Sequence, residues 1–508
     1  MSDPKTPSRW RPGVADLLFL LVALAGMRGA RHTLLDDPGL GWHIRNIDAI
    51  LDRGGWLTED PFTDPRGEAP PRWYTNQWLG EAPYWLGWKW AGLEGIAAVN
   101  AVVIATIAGA LYRVLLADGL AWPVAMVWAA LGMMGTSCSW NARPNVFTVL
   151  FVLLTARACV RLHEGKLTLA AGAGVVLMFA AWANTHGGFV AGLILLAVTG
   201  CIEFACAVFQ TDEDARSRLV PIGFLSICAG LATLANPYGI DLYRWVLQLL
   251  GDKFFMDLHQ EWRSPDFNSA GAMRYELLIL LFPLVLGLSA RRPNIVELAL
   301  SVLWLHFALT GFRYVALWVV VAVPLMGRSS VEIPFLQELA RRLQLGAAPD
   351  SLFHTPTTRP AWLWSILLGA GLLLGAKPLQ GRFAVHKQEI IANEALDQLL
   401  ARVRAWREKN GRRPVVIHDY NWGGYVTWHG WPEVLNWIDD RNEVQGQRRI
   451  QDYFDLMKAK PGWERQLIGA DFVCIDPEAE LTRRLSEDDR WTRGEAPNAA
   501  IFERKPTR

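Results

Sequence analysis

Charge is scarce in this chain. Asp, Glu, Lys and Arg make up 19% of its 508 residues, against about a quarter in soluble proteins, which argues against a wholly soluble enzyme. The charges nearly cancel, leaving a net +1, so nothing points to nucleic acid as a partner. Cysteine is scarce as well. Cys138, Cys159, Cys201, Cys206 and Cys228 lie in or at the ends of apolar segments, and Cys474 alone sits in the polar tail. With no CxxC pair, neither a disulfide framework nor a structural zinc site is expected. The tail also lacks GxGxxG and Walker sequences, which removes the common nucleotide-binding signatures.

Apolar residues are abundant, at 52%, and so is tryptophan, with 25 copies, many beside hydrophobic runs, where amphipathic rings suit the headgroup layer. The runs cover approximately 14–30, 95–117, 121–138, 145–161, 168–184, 187–209, 219–236, 273–290, 294–310, 312–327 and 361–376. Several are near the lower limit for crossing about 30 Å of hydrocarbon. The expectation is a polytopic α-helical membrane protein with about eleven transmembrane helices, the first a retained span rather than a removed signal peptide.

Sidedness follows from Lys and Arg in the short loops. With Lys5, Arg9 and Arg11 in the cytoplasm and the spans alternating, Arg157/Arg161/Lys166, Arg216/Arg218, Arg291/Arg292 and the basic stretch from Arg328 to Arg359 share that side. An odd span count then places the tail outside the cytoplasm. The reading divides the chain into a transmembrane part, 1–377, with a large external first loop at 31–94, and an extracytoplasmic domain, 378–508.

The tail reads as a soluble α/β domain. A helical pattern covers about 386–409, with Leu396, Leu399, Leu400 and Val403 on one face. Strands are predicted at 414–418, 434–438 and 471–475, with a turn at Gly423-Gly424. Alternation of strands and helices favours a mostly parallel sheet.

Once sidedness is assigned, polar residues gather on one face. Asp36, Asp37, Trp42 and His43 follow the first span, and Glu81 precedes the second. Arg143 and Asn145 occupy the turn between the third and fourth spans, and Asn184 and His186 that between the fifth and sixth. Asn236 and Asp241, then Glu261, Arg263 and Asp266, follow the seventh, and Arg313 begins the tenth. Ionisable groups at membrane depth usually face a bundle interior or wet cavity, so a cavity is expected on that face. Taken singly, each has a bland reading. Asn236-Pro237-Tyr238-Gly239 makes a turn by its own chemistry, Arg143-Pro144 starts a helix, Trp78 and Trp182 anchor at the interface, and Asp439-Asp440-Arg441 is a local ion pair.

The stretch from Asp36-Asp37 to Trp42-His43, followed by Asp60-Pro61-Phe62-Thr63 and Gln77-Trp78-Leu79-Gly80-Glu81, resembles the first external loop of bacterial GT-C membrane glycosyltransferases. That superfamily includes protein O-mannosyltransferases, aminoarabinose transferases and oligosaccharyltransferases. Ala142-Arg143-Pro144, the segment Trp182 to Gly188, Asn236 to Gly239, Asp419 to Tyr425 and Asp439-Asp440-Arg441 resemble the same bacterial branch, nearly along the full length. Between Asn184 and His186 the chain has Thr185, where that branch is expected to carry a larger apolar residue.

The resemblance implies a multi-pass inner (plasma) membrane enzyme. It would transfer sugar from a polyprenyl-phosphate donor to a glycan, lipid or protein acceptor at the outer face. Arg143 or Arg313 would meet the donor phosphate through a bidentate fork. Asp37 or Asp36 would take the acceptor's proton. His43, Glu81, Asn184 and His186 complete the expected substrate-binding set. No cofactor is expected, although hard carboxylate ligands allow a divalent cation. The rival from another class is a transporter or flippase of a lipid-linked or polar substrate. Such proteins usually show repeated halves and mid-membrane helix breaks, and neither is visible here.

Overall fold

The computed structural model describes residues 12–30, 35, 37–209, 213–251, 253–258, 260–269, 272–342, 362–382 and 393–506. Asp36, the basic N-terminal residues Lys5, Arg9 and Arg11, Arg359, and the start of the tail helix expected from 386 lie outside the described residues.

Each apolar run is helical. The helices are α1 (Val14–Gly29), α3 (Trp78–Ala117), α4 (Trp122–Thr136), α5 (Asn145–His163), α6 (Leu169–Ala183), α7 (Phe189–Phe209), α8 (Glu213–Ala232), α11 (Met273–Leu288), α12 (Ile295–Thr310), α13 (Val315–Ser330) and α15 (Leu363–Gly375). Among the described residues, five helical stretches are long and apolar enough to cross a membrane: Trp78–Ala117, Asn145–His163, Phe189–Phe209, Asp214–Ala232 and Phe312–Ser330. Leu169–Ala183, Ile295–Thr310 and Leu363–Leu379 are shorter apolar stretches. The protein is a multi-pass membrane protein. Helix α3 is its axis, packing against α1, α4, α5, α13 and α15. Small residues permit the closest approach: a Cβ on Gly26 of α1 would lie 3.1 Å from that of Ala101 on α3.

The first loop is more ordered than the sequence suggests. It holds an amphipathic helix, α2 (Leu40–Arg53), with Leu40, Ile44 and Ile47 buried and Leu51 exposed. Helix α3 also begins well before its apolar run, because the chain kinks at Ala91-Gly92, where Gly92 adopts φ 62°. Short helices α9 (Ile240–Gly251), α10 (Lys253–Leu258) and α14 (Pro334–Arg342) complete the bundle.

The tail contains α16 (Asn393–Asn410), β1 (Val416–His418), α17 (Gly423–Gly430), α18 (Asn442–Met457), β2 (Phe472–Ile475), α19 (Glu480–Ser486), β3 (Trp491–Gly494) and β4 (Ala500–Arg504). Its sheet runs β1-β2-β4-β3. Only β1 and β2 pair in parallel, with Val416 opposite Phe472, and the two pairs involving β4 are antiparallel. The expected mostly parallel sheet is thus corrected by a C-terminal hairpin, whose tight turn admits positive φ at Asn498.

Two further readings change. The segment 434–438 is no strand, and its one bridge joins Asn436 to Thr63 of the first loop. Gly423-Gly424 is no turn, because it begins α17. A Cβ on Gly424 would stand 1.8 Å from the Pro38 carbonyl oxygen, and one on Gly41 would stand 2.1 Å from that of Gly424. These glycines let α17 and α2 touch backbone to backbone, which seats the tail on the first loop.

Candidate active site

First loop, turns of the bundle and tail meet around a cavity of about 740 Å³. Its apolar wall comes from α7 and α9, with Val190, Ile194, Val246, Leu249 and Leu250. Trp42, Trp73, Trp245, Trp262 and Tyr314 add aromatic surface. Of the residues expected from sequence, His43, Arg143, His186 and Arg313 line this one chamber. Arg143, His186 and Arg313 stand at span ends on the same side of the bundle, and α2 of the first loop brings His43 to them.

Arg143, in the turn before α5, is the hub. Its guanidinium pairs with Asp37, lies 3.5 Å from Asp440 Oδ2 and lies 3.5 Å from Glu261 Oε1. Burial alone would lower the Arg143 pKa, but attraction to Asp37, Asp440 and Glu261 outweighs it and drives the value upward. Asp37 lies behind Arg143 with a fully buried side chain. Its Oδ1 accepts from the Gly39 backbone N–H at 2.8 Å, while Oδ2 faces the guanidinium.

His43, on α2, sits 2.7 Å through Nδ1 from Glu81 Oε1, and the Asn46 amide meets Oε2 of the same carboxylate. Trp42 packs on the imidazole, with ring centroids 3.6 Å apart. Burial and then the charge of Arg143 hold His43 well below its ordinary pKa, so the ring is neutral at physiological pH. Glu81 therefore stands behind His43 rather than on the cavity wall.

His186 is oriented by a chain of donors. The Trp182 indole donates to Thr148 Oγ1 at 3.0 Å, Thr148 lies 3.0 Å from His186 Nδ1, and the Gly188 backbone N–H donates to the same nitrogen at 3.0 Å. With Nδ1 accepting, the proton of a neutral ring belongs on Nε2. Burial, then Arg313 and Arg143, push the His186 pKa down to about 3, which keeps that ring neutral. Trp182, expected at the membrane interface, is fully buried, because its indole is the first donor in this chain.

Arg313, in the turn before α13, stacks on Trp262 at 4.1 Å. Among the described residues it forms no ion pair. Asn184 takes a different part. Its amide donates to the carbonyls of Ala180 and Ala235, and its oxygen accepts from the Trp78 indole. It staples α6, α8 and α3 together and is not among the residues lining the cavity.

The tail supplies residues beyond the site set named from sequence. Tyr420, Asn421, Asp440, Arg441 and Glu443 all line the cavity. Asp440 Oδ1 accepts from the Trp42 indole at 2.9 Å. Burial, offset by Arg143 and reinforced by Asp439 and Asp37, raises the Asp440 pKa to about 6. Arg441 is fully buried and ties the tail to the first loop. It donates to both oxygens of Asp60, at 2.8 and 3.2 Å, and to Asp439. The local pair expected at 439–441 is therefore half of a cross-domain cluster. The available signal was a run of charge directly after the apolar segment Val434–Ile438. What it lacked was any local mark of the partner, about 380 residues away.

Asp37, Asp440 and Glu261 converge on Arg143, and Asp60 and Asp439 on Arg441. Among the described residues, no three His, Cys, Asp or Glu side chains are grouped to bind a metal ion.

No protein-family model and no curated protein matches the sequence. Solved structures do. The archaeal oligosaccharyltransferase AglB from Archaeoglobus fulgidus, in complex with an inhibitory peptide and a dolichol-phosphate, superposes with a TM-score of 0.54 at 10% identity, over 96% of this chain and 74% of AglB. ArnT from Cupriavidus metallidurans superposes with a TM-score of 0.50 when bound to undecaprenyl phosphate and 0.51 in the apo state, both at 11% identity. Those two matches cover 96% of this chain and 97% of ArnT. At such identities the likeness speaks to architecture alone: this chain shares the fold of AglB and ArnT.

Proposed function

We propose that the chain is a membrane glycosyltransferase that moves a sugar from a polyprenyl-phosphate donor to an acceptor hydroxyl at the outer face of the bacterial inner membrane. In this reading about eleven helices span the bilayer, the N-terminus is cytoplasmic, and the domain from 378 onward lies outside. AglB and ArnT were solved with polyprenyl phosphates, and the carry-over to this chain is part of the proposal.

The observation that carries it is an uncommitted pair of donors. Arg313 has no carboxylate partner among the described residues, and it shares the chamber with the neutral His186. An unpaired guanidinium in a partly dry cavity favours an anion that presents several oxygens, as a phosphate does. The apolar wall beside it, from Val190 to Leu250, suits the first isoprene units of a lipid chain. The aromatic surfaces suit sugar faces.

Arg143 differs from Arg313, because Asp37, Asp440 and Glu261 already hold it. Its charge is taken up in ordering those carboxylates, which leaves Arg313 as the cation to meet the donor's charge as bonding changes at the anomeric carbon. In the transfer, the acceptor oxygen loses its proton to a cavity carboxylate and bonds to the anomeric carbon. The bond from that carbon to the phosphate oxygen breaks, and its electron pair leaves with the polyprenyl phosphate.

The test uses purified protein in detergent and a panel of undecaprenyl-phosphate sugars, with membrane extract as acceptor source. The readout is release of undecaprenyl phosphate. Turnover that is lost in Arg313→Gln supports the reading. Absence of turnover with every donor, in protein shown to be folded, refutes it and returns the transporter reading.

A further inference from the structure

We propose that Glu443, delivered by the tail domain, is the carboxylate that takes the acceptor's proton, and that Asp37 serves as the anchor of Arg143. The proposal rests on the transferase reading and assigns its base.

A base needs a lone pair free to meet a hydroxyl. Among the described residues, which leave out Asp36, the carboxylates around the chamber can be compared on that requirement. Asp37 is fully buried, with Oδ1 taken by the Gly39 N–H and Oδ2 by Arg143. Glu81 is buried, with one oxygen on His43 and the other on Asn46. Asp440 accepts from Trp42 through Oδ1 and faces Arg143 through Oδ2. Glu261 pairs with Arg143 from an exposed position, 48% accessible. Glu443 lines the same chamber, and among the described residues no side-chain donor reaches it.

Local backbone geometry explains how Glu443 reaches the chamber. It belongs to the first turn of α18, and Gly446, at φ 71°, breaks the helical path three residues later. The first turn can therefore point into the cavity while the rest of α18 packs in the tail core through Ile450, Tyr453 and Leu456. Arg441, two residues before it, is pinned to the first loop by Asp60, so the turn cannot drift away.

The surroundings suit the role. Around Glu443 stand Arg441, Asp440 and Asp439 from its own stretch, Tyr420 from the turn after β1, and Arg313 from the bundle. Burial, moderated by Arg441 and reinforced by Asp440 and Asp439, raises its pKa to about 7. A base with that value is ionised for a useful fraction of the time at neutral pH and still accepts a proton readily. The step balances: the acceptor O–H gives its proton to Glu443, the oxygen's electron pair forms the new glycosidic bond, and the polyprenyl phosphate departs with the old bonding pair. Water removes the proton from Glu443 after product leaves.

The experiment measures undecaprenyl phosphate release by wild type, Glu443→Gln, Glu443→Asp and Asp37→Asn across pH 5.5–9. It uses the donor found active for wild type, and thermal shift with undecaprenyl phosphate checks that each variant is folded and binds. Expected is a fall in kcat of about 10²–10⁴-fold in Glu443→Gln with donor KM within about twofold. Expected also are partial recovery in Glu443→Asp and loss in Glu443→Gln of the acid limb that wild type shows near pH 7. Asp37→Asn should keep that limb and raise donor KM. Turnover of Glu443→Gln within threefold of wild type overturns the proposal, as does an acid limb that survives in Glu443→Gln and vanishes in Asp37→Asn. If wild type turns over no donor at all, the transferase reading fails first and Glu443's role with it.

Discussion

The join between tail and first loop rests on a charge arrangement whose parts should be unequal. Arg441, Asp60 and Asp439 have fully buried side chains, and one cation faces two anions. Removing the cation with Arg441→Met leaves two buried carboxylates without compensation. Breaking a buried pair in this way costs about 3–5 kcal/mol. Loss of ring contacts adds to the cost, because the guanidinium carbon lies 4.6 Å from the Trp73 centroid and 5.3 Å from that of Phe62. Asp60→Asn acts differently. It leaves Arg441 paired one-to-one with Asp439, and the oxygen of the new amide can still accept one hydrogen bond, so the cost should be about 1.5 kcal/mol. Hydrogen exchange of segments 57–64 and 434–445 in detergent micelles reads this local opening. Arg441→Met should accelerate exchange in both segments by roughly two orders of magnitude or more, and Asp60→Asn by about tenfold. Equal effects of the two substitutions, or an effect below about 1 kcal/mol for Arg441→Met, would refute the buried-charge reasoning.

The same cluster has a pH signature. Burial alone would raise the Asp439 pKa, but Arg441 outweighs it and holds the carboxyl below its usual range. The Asp439 contribution is therefore full above about pH 4 and lost as pH falls through the folded value. Exchange of 434–445, corrected for its intrinsic pH dependence, should rise on acidification below about pH 4. Asp440 and Glu443, raised to about 6 and about 7, work the other way, so corrected exchange should also rise as pH climbs from about 5 to 7. Arg313→Gln should weaken binding of undecaprenyl phosphate by about 10–100-fold, the worth of a charge-assisted phosphate contact, as measured by thermal shift against ligand concentration. Arg313→Lys should recover only part, because a point charge replaces a fork. Gly424→Val should separate tail from first loop, since even a Cβ meets the Pro38 carbonyl oxygen at 1.8 Å, and limited proteolysis near residue 382 is the readout. Single cysteines at Glu68 and Lys460, both exposed, should react with a membrane-impermeant maleimide from one side, and a cysteine at Arg341 from the other. Reaction of all three from one side would undo the topology.

The helical spans were legible because hydrophobic runs near membrane length are a local property, readable without knowing any neighbour. The gathering of His43, Arg143, His186 and Arg313 was legible for a related reason. Arg143, His186 and Arg313 stand at span ends and His43 in the loop after the first span, and alternation of spans alone assigns them to one face. The tail was harder. Strands β1 and β2 were visible as β-branched apolar runs, whereas 434–438 has the same pattern but spends its backbone groups on Phe62 and Asp64 of the first loop. Periodicity reports burial and cannot tell which partner does the burying.

What the sequence by itself determined was a multi-span helical protein with basic clusters in the short loops of one side and the candidate site residues on the other. Only the tertiary structure decided which of those groups are spoken for. Asp37 reads in sequence as a free acid and lies in the structure behind Arg143. Asn184 reads as a ligand contact and is a staple. Glu443 carries no sequence mark at all and stands open in the chamber. The physical reason is that a side chain's chemistry depends on which of its lone pairs and protons are already satisfied. Here many of the satisfying partners come from roughly 300 to 400 residues away, brought in by a tail that docks through glycines and one buried arginine.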